Sequence, residues 1–557
     1  MQNMQKKEEK MPKCYINGSQ YTFNKNTTIL EILKREKKDY KRVLLVRRNN
    51  KLCDLYEKIR ERDRIETLGL ESREGFRCYQ NSLSFLLSSV IGKVLPGKKL
   101  VVEHSFVDGF YCKFTDGYIT HKIDMEAITR EMSGMIKQKL PFEKVQKTKR
   151  KLDKHFIEKE IFEKIELFEY QKPKNINLYS CGDYIDFTFT PLVPDASYLF
   201  SFDLQYYKPG FILRFPQPSK NGKMLSFSDE KKLFKIFEEY ERWGEILGVS
   251  SIVSLNRVIV DNEISDLIKI SEALHEKKIA KIADEIKEKV REVKIVLIAG
   301  PSASGKTTFS KRLSIQLKVN CLSPITISTD DYFKERNRTP KFPDGSVDFE
   351  SLRAIDVKLL NKHLISLLQG KQVEIPKFEF TTGKRLRGRR IKMGKTEILI
   401  VEGIHGLNEE LTQHIQKTNK FKVYISALTQ LNVDNEHRIS TRDTRIVRRI
   451  VRDNLYRKHS ACETIRLWQN VEKGENKNIF PFQEEADVMF NSALIYELSV
   501  LKRFAIPLLK NVGSEHKEYT TSERLLKFLS FFKGISPAEV PHTSILREFI
   551  GGSTFLY

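Results

Sequence analysis

The sequence predicts an α/β protein whose C-terminal half builds a parallel sheet flanked by helices, with two smaller α+β modules ahead of it. Three observations carry that class. After Lys294, the apolar strand-like segments KIVLIA, PITIS, TEILIVEG and FKVYIS alternate with helical patterns, the order that βαβ units produce. Within that stretch, IDVKLLNKHLISLLQG sets Leu360, Leu364 and Leu367 on one face of a helix. Before about residue 262 the texture differs, with short alternating strands mixed with helices and separated by Pro and Gly turns.

The elements follow in chain order. Residues 1–12 are polar and expected as a disordered tail. Residues 13–72 carry CYI, QYTF and RVLLVR around TTILEILKR, where Thr27 or Thr28 caps a helix whose face holds Ile29, Ile32 and Leu33, giving a small α+β module. Residues 73–264 combine NSLSFLLSSVIGKVL with GFYCKF, YIDFTFTPL and GFILRF, a second α+β domain. Residues 265–292 read as a helical connector, with Ile279, Ile282 and Ile286 three to four apart. Residues 293–545 form the α/β domain, and 546–557 a closing tail.

Composition narrows the chemistry. At roughly 150 residues per domain, 557 residues allow three or four folding units. Apolar residues at 40% and charged residues at 31% are ordinary globular usage, which excludes collagen-like, mucin-like and wholly disordered chains. Ninety-seven basic against 73 acidic residues leave a net charge of +24, a field that favours nucleotides, phosphates, RNA or an acidic membrane surface. The seven cysteines are scattered without a C-x-x-C pair, as in a reducing compartment. LSFLLSSVIGKVL and ILIVEGI fall far short of the roughly 20 apolar residues of a spanning helix. No secretory signal opens the chain, and a cytoplasmic protein without membrane partners is expected.

The sharpest motif is Gly300-Pro301-Ser302-Ala303-Ser304-Gly305-Lys306-Thr307, a G-x-x-x-x-G-K-[ST] loop fed by the apolar strand Ile295 to Ala299 and followed by Phe309, Leu313 and Leu317 at helical spacing. Glycines let backbone N–H groups turn around phosphate oxygens, and the helix N-terminus adds positive potential. Lys306 supplies a cation for the β and γ phosphates of ATP, and Thr307 a hydroxyl for Mg²⁺. Glu402, at the end of the strand Glu397 to Val401, is placed to coordinate Mg²⁺ directly or through water. The strand Ile325 to Ser328 empties into Thr329-Asp330-Asp331, putting two carboxylates where parallel sheets build their sites; one acts as general base, or the pair caps the next helix.

Two basic clusters follow. KRLRGRRIKMGK, 384 to 395, has seven basic residues and no acid, and reads equally as a solvated hairpin. Eight basic residues lie between Arg438 and Lys458, with Arg445, Arg449 and Arg452 on one helix face. Only Asp443 and Asp453 stand against them; unpaired arginines repel, so a helical lid neutralised by polyphosphate is expected there, with a plain salt-bridged surface as the alternative.

From about Lys294 to Pro507, GPSASGKTT, STDDYF, VDFESL, IPKFEF, VEGIHGLN and DTRIVRRIVRD resemble, in order, the motifs of the uridine kinase and phosphoribulokinase superfamily. The resemblance implies a P-loop kinase fold with ATP and Mg²⁺ as cofactors. Gly300, Ser302, Ala303, Ser304, Gly305, Lys306, Thr307, Thr308 and Arg452 match the ATP-binding positions, and Thr307 and Glu402 the metal ligands. Asp330 matches the catalytic base beside Lys306. Asp348 matches the carboxylate on the ribose hydroxyls, and Phe378, Arg449 and Arg457 the other substrate-binding positions. The sequence departs from the pattern where Phe378 replaces a base-facing Tyr, Gly383 a pyrimidine-reading His and His459 a lid Arg. Discrimination that rests on hydrogen bonds is lost with the donors.

The front half resembles another family. Residues 13–70 are similar to a TGS module, a small β-grasp domain, and residues 73 to about 215 to the second, editing-type domain of threonyl-tRNA synthetases. Asn81 and Phe85 stand where such domains carry H-x-x-x-H, and Cys181 is followed by Gly182-Asp183-Tyr184 without a His, so the fold is expected without editing chemistry or zinc. The domain order matches TGS-containing nucleoside kinases, which implies phosphoryl transfer from ATP to a ribonucleoside 5′-hydroxyl. A phosphoribulokinase-like sugar-phosphate kinase, and an RNA-binding regulatory ATPase contacting RNA through the N-terminal half, are the rivals; homo-oligomerisation is left open. A GTPase is disfavoured because Asn419-Lys420-Phe421-Lys422 lacks the Asp that reads guanine.

Overall fold

A computed structural model describes residues 11–36, 39–170, 177–218, 222–341, 345, 347–379, 382–394, 396–429 and 431–556. Most of the expected N-terminal tail, residues 1–10, lies outside the described residues. The first module is a five-stranded sheet in the order β2-β1-β5-β3-β4, made of β1 (Lys13–Ile16), β2 (Ser19–Thr22), β3 (Leu45–Arg48), β4 (Lys51–Cys53) and β5 (Arg64–Leu68). Helix α1 (Ile29–Glu36) buries Ile29, Leu30, Ile32 and Leu33, and Thr28 starts it by accepting the Glu31 N–H while Glu31 returns the bond.

The second module opens with α2 (Arg73–Val94), capped by Ser72 and followed by β6 (Leu100–Phe106) and β7 (Gly109–Phe114). Then come α3 (Lys122–Gln138), β8 (Glu143–Lys144), α4 (Lys149–Glu158) and α5 (Phe162–Tyr170). The strands β9 (Asn177–Cys181), β10 (Tyr184–Thr188), β11 (Asp203–Tyr207) and β12 (Gly210–Arg214) complete two antiparallel sheets, β10-β9-β8 and β11-β12-β7-β6. Its core runs into that of the first module, joining Ile32 and Leu45 to Leu86, Met132 and Phe211.

Helices α6 (Lys231–Leu247), α7 (Ile252–Val260) and α8 (Ile264–Glu288) come next. The stretch expected as a connector is one long helix, yet it belongs to the core that follows. Ile279, Ile282 and Ile286 are fully buried, and Arg312 of the next domain pairs with Glu276 at 2.6 Å. The i, i+3, i+7 isoleucines needed an apolar partner surface, which the following domain supplies.

The C-terminal sheet is parallel, in the order β14-β17-β13-β18-β19. Its strands are β13 (Ile295–Ala299), β14 (Ser323–Ser328), β17 (Glu397–Glu402), β18 (Lys420–Ser426) and β19 (Val488–Asn491). All five residues of β13 are buried, as both-face coverage by helices demands. Between the strands run α9 (Lys306–Val319), α10 (Val357–Leu368) and an antiparallel hairpin, β15 (Val373–Glu379) with β16 (Lys384–Ile391). That hairpin holds most of the first basic cluster on an exposed strand, where Arg390 meets Glu374 at 3.2 Å.

After β18 come α11 (Thr441–Arg457), α12 (Ala461–Asn478), α13 (Glu497–Lys510), α14 (Tyr519–Leu529) and α15 (Arg547–Ile550). The last of these replaces the expected closing tail: Leu546 and Phe549 are fully buried. Among the described residues no helix is long and apolar enough to cross a membrane, and no two cysteines are bridged.

Candidate active site

Register fixes the site before any side chain is placed. Ile298 pairs with Glu402, and Ser328 pairs with the same Glu402 on its other side. The loop after β13, the Glu402 carboxylate and the Asp330 turn therefore leave the sheet side by side at its C-terminal edge. A 3₁₀ turn from Thr329 to Tyr332, capped by Ser328, carries Asp330.

The phosphate loop is a tight turn in which Ala303 (φ 59°) and Gly305 (φ 84°) both adopt the left-handed conformation. At Gly300 a Cβ would run into the Ile425 carbonyl, so only glycine fits. Lys306 begins α9 and folds back, its Nζ donating to the carbonyls of Gly300 at 2.9 Å and Pro301 at 3.2 Å. Burial holds its pKa below the usual lysine value, opposed by the nearby charges of Asp330, Glu402 and Glu548.

The loop's donors are answered by carboxylates from elsewhere in the chain. Glu475 Oε1 accepts the Ser302 N–H at 2.8 Å, and Glu548 Oε2 accepts the Thr308 N–H at 3.1 Å and its hydroxyl at 2.7 Å. Ile545 lies where a Cβ on Gly305 would stand, 2.5 Å from that position. Two carboxylates thus occupy ends of a cradle whose N–H groups and helix dipole select anions.

Acidic groups crowd Lys306. Burial pushes Glu402 up to about 7 against the pull of Lys306, with Asp330 and Glu548 adding to the rise. Glu402 Oε2 is buried and, among the described residues, has no hydrogen-bond partner. Asp330 is raised by enclosure within the cleft, countered by Lys306 and Arg457, although its side chain reaches solvent there. Glu350 is pushed up to about 7 by burial and by Glu475. Several hard oxygen donors around one ammonium, one of them orphaned, fit a divalent cation such as Mg²⁺, with the Thr307 hydroxyl next along the loop.

Helix α11 differs from the expected lid. Ten of its residues are buried, and Arg448, with no exposed surface, donates to the Ala303 carbonyl while pairing with Glu497 at 2.5 Å. Arg445 pairs with Glu475 and donates to the Ser302 carbonyl at 2.9 Å; Arg449 donates to the Ser302 hydroxyl at 2.9 Å. Of the three arginines read as unpaired, Arg445 is thus answered by Glu475, while Arg449 at 3.1 Å and Arg452 at 2.9 Å gather on Asp453, joined there by Arg457 at 3.6 Å. Repulsion among them is relieved inside the helix, so polyphosphate is not required to hold them there.

On the acceptor side, Asp348 Oδ1 accepts the Glu350 N–H at 3.1 Å. Phe378 is buried against Phe333 at 5.6 Å and Phe349 at 6.4 Å. A Cβ on Gly383 would meet the Arg336 side chain at 2.9 Å, so a guanidinium fills the space beside this glycine. The structure thus brings Lys306, Asp330, Glu402, Arg449, Arg452 and Arg457 into one electrostatic neighbourhood. Glu475, Glu548 and Glu350 escaped sequence reasoning; only Glu350, inside VDFESL, stood in a motif already singled out.

In the second module, Asn81 donates to Thr190 at 2.8 Å, Phe85 packs on Tyr184 at 4.9 Å, and Cys181 is buried. A charged knot ties this module to the C-terminal domain: Lys164, almost fully buried, meets Asp186 at 2.5 Å and Glu436 at 3.1 Å.

A strand, phosphate loop and helix at the C-terminal edge of a parallel sheet, with one carboxylate ending the adjacent strand β17 and another following β14 beyond it, define a P-loop kinase domain. Residues 295–498 match the model of the Phosphoribulokinase / Uridine kinase family, so the chain carries a domain of that family at its C-terminal end. The uridine kinase of Clostridium perfringens is 28% identical over 193 residues, covering 34% of this chain and 84% of the relative. That of Mycoplasma pneumoniae is 29% identical over 208 residues, covering 35% and 89%. The N-terminal half is similar to threonine–tRNA ligases. The enzyme of Carboxydothermus hydrogenoformans is 30% identical over 254 residues, covering 43% of this chain, and the chain spans only 39% of that relative's length.

Proposed function

We propose that the C-terminal domain transfers the γ-phosphoryl group of ATP to the 5′-hydroxyl of a ribonucleoside. The observation that carries this reading is the convergence of Lys306, Asp330 and Glu402 at one sheet edge beside a loop whose donors already hold carboxylates. Gly300, Ser302, Ala303, Ser304, Gly305, Thr307 and Thr308 form the phosphate cradle. On binding, Lys306 exchanges the Gly300 and Pro301 carbonyls for phosphate oxygens, and Glu548 yields the Thr308 donors. Thr307 and Glu402 would hold Mg²⁺, which would supply charge neutralisation at the phosphates. Asp330, at the cleft beside Lys306, takes the proton of the acceptor hydroxyl, a role worth about 10² to 10⁴ in rate.

Asp348 grips the ribose hydroxyls, and Phe378 with Phe333 and Phe349 forms an apolar wall for a base. Arg449, Arg452 and Arg457 stabilise charge spread over the transferring group, which requires them to share Asp453 with it. The test is a panel of ribonucleosides and sugar phosphates with Mg²⁺-ATP, read as monophosphate formation. A nucleoside monophosphate is expected; phosphorylation of a sugar phosphate alone, or ATP hydrolysis without any acceptor, overturns the reading.

A further inference from the structure

A second concavity, of about 1140 Å³, opens where α2 of the synthetase-like module meets α11, α12 and α14. At that seam Arg73 and Arg442 share Glu472, at 3.1 Å and 2.9 Å, while Arg77 and Arg524 share Asp443, at 3.4 Å and 2.6 Å. Arg438 completes the group, within electrostatic reach of Asp443 and Arg442. Five guanidiniums therefore face two carboxylates. Burial, with the neighbouring guanidiniums adding to it and Asp443 opposing it, pushes Arg77 down to about 9 and Arg438 to about 10.

Two further features point the same way. Arg73 Nη2 is taken by its ion pair with Glu472, but its Nε is buried without a hydrogen-bond partner among the described residues. Helix α11 starts at this seam, and Ser440 ahead of it makes no side-chain capping bond, which leaves positive helix-end potential facing the cavity. Surplus buried positive charge is costly unless an anion answers it, and guanidinium forks match phosphate oxygens in pairs. Elsewhere the lining is mixed, with Phe189, Phe215 and Phe480 among acidic and amide side chains, so the space suits an organic molecule rather than a bare ion.

We propose that this seam is a binding site for a small molecule bearing two or more phosphate groups, seated on Arg73, Arg77, Arg438, Arg442 and Arg524. It is separate from the phosphate loop but not isolated from it. Arg445 and Glu475 line the same cavity and also hold Ser302, and Asp443 stands one helical turn from Arg445's neighbours on α11. An occupant that draws Arg77 or Arg524 away from Asp443 acts on the helix that braces the loop.

The test uses the full chain carrying Lys306→Ala, so that the phosphate loop binds without its ammonium, and inorganic pyrophosphate as probe in calorimetry at fixed ionic strength. Pyrophosphate is expected to bind Lys306→Ala within about threefold of the unmodified chain. Adding Arg442→Gln or Arg77→Gln should weaken it at least tenfold; Arg442 is partly exposed, so its variant should fold even if the other does not. Loss of pyrophosphate binding with Lys306→Ala alone, or binding indifferent to both arginine substitutions, overturns the proposal.

Discussion

The kinase cleft and the domain seam are opposites built on the same physics. Around Lys306 the surplus is acidic, and the carboxyls of Glu350 and Glu402 are driven up to about 7. Around Asp443 the surplus is basic, and arginines are driven down. In both places like charges are gathered where little water can screen them, an arrangement that a bound counterion would relieve. The first calls for a cation with its polyphosphate, the second for an anion. Helix α11 runs between them, lending Arg442 and Asp443 to one and Arg449, Arg452 and Arg457 to the other.

Several substitutions would break or sharpen that contrast. The largest effect is expected for Asp330→Asn, a fall in kcat of about 10² to 10⁴ with ATP affinity changed little, because a proton acceptor acts mainly in the transition state. Equal loss of ATP affinity, measured by calorimetry, would make Asp330 a structural or metal-binding group instead. Next is Arg448→Ala, which strands Glu497 in the core and should cost about 3–5 kcal/mol in denaturant unfolding. A loss below about 1 kcal/mol would mean that α11 is not anchored as described.

A smaller effect concerns pH. The folded-state value of Glu350 lies above that of an unfolded chain, so the stability it contributes is complete below about pH 4 and lost as pH rises through about 7. The melting temperature of nucleotide-free protein should therefore fall between pH 5 and 8, and Glu350→Gln should lessen the fall by a few degrees. An unchanged slope would remove Glu350 from the acidic surplus. Smallest is Glu548→Gln: with the competing charge gone from Thr308, ATP should bind about three- to tenfold more tightly in a fluorescence titration. Unaltered affinity would show that Glu548 does not contest the cradle.

Much of this was readable from local pattern. The strand Ile295 to Ala299, the glycines of the loop and the leucines of α10 are fixed by spacing within a dozen residues, and each appears where periodicity put it. Even the Arg449–Asp453 pair stands at i, i+4, a spacing that favours the salt-bridged surface over the lid of unpaired arginines. What stayed hidden arises from contacts between distant segments. Nothing near Ser302 or Thr308 announces that Glu475 and Glu548 will reach them, and an apolar helix face such as that of α8 does not say which core it joins. The seam was invisible for the same reason, since Arg77 and Asp443 lie 366 residues apart.

The placement of α6 and α8 carries a practical consequence. Leu233 and Phe237 of α6 share a core with Ala299 and Met489 of the parallel sheet, and Ile279 shares one with Phe309 and Leu317. Trimming the polypeptide at residue 293, just ahead of the stretch that matches the kinase family, would strip that sheet of cladding and bare a greasy flank. Any enzymologist wishing to study phosphoryl transfer alone should leave those helices attached, or expect precipitate.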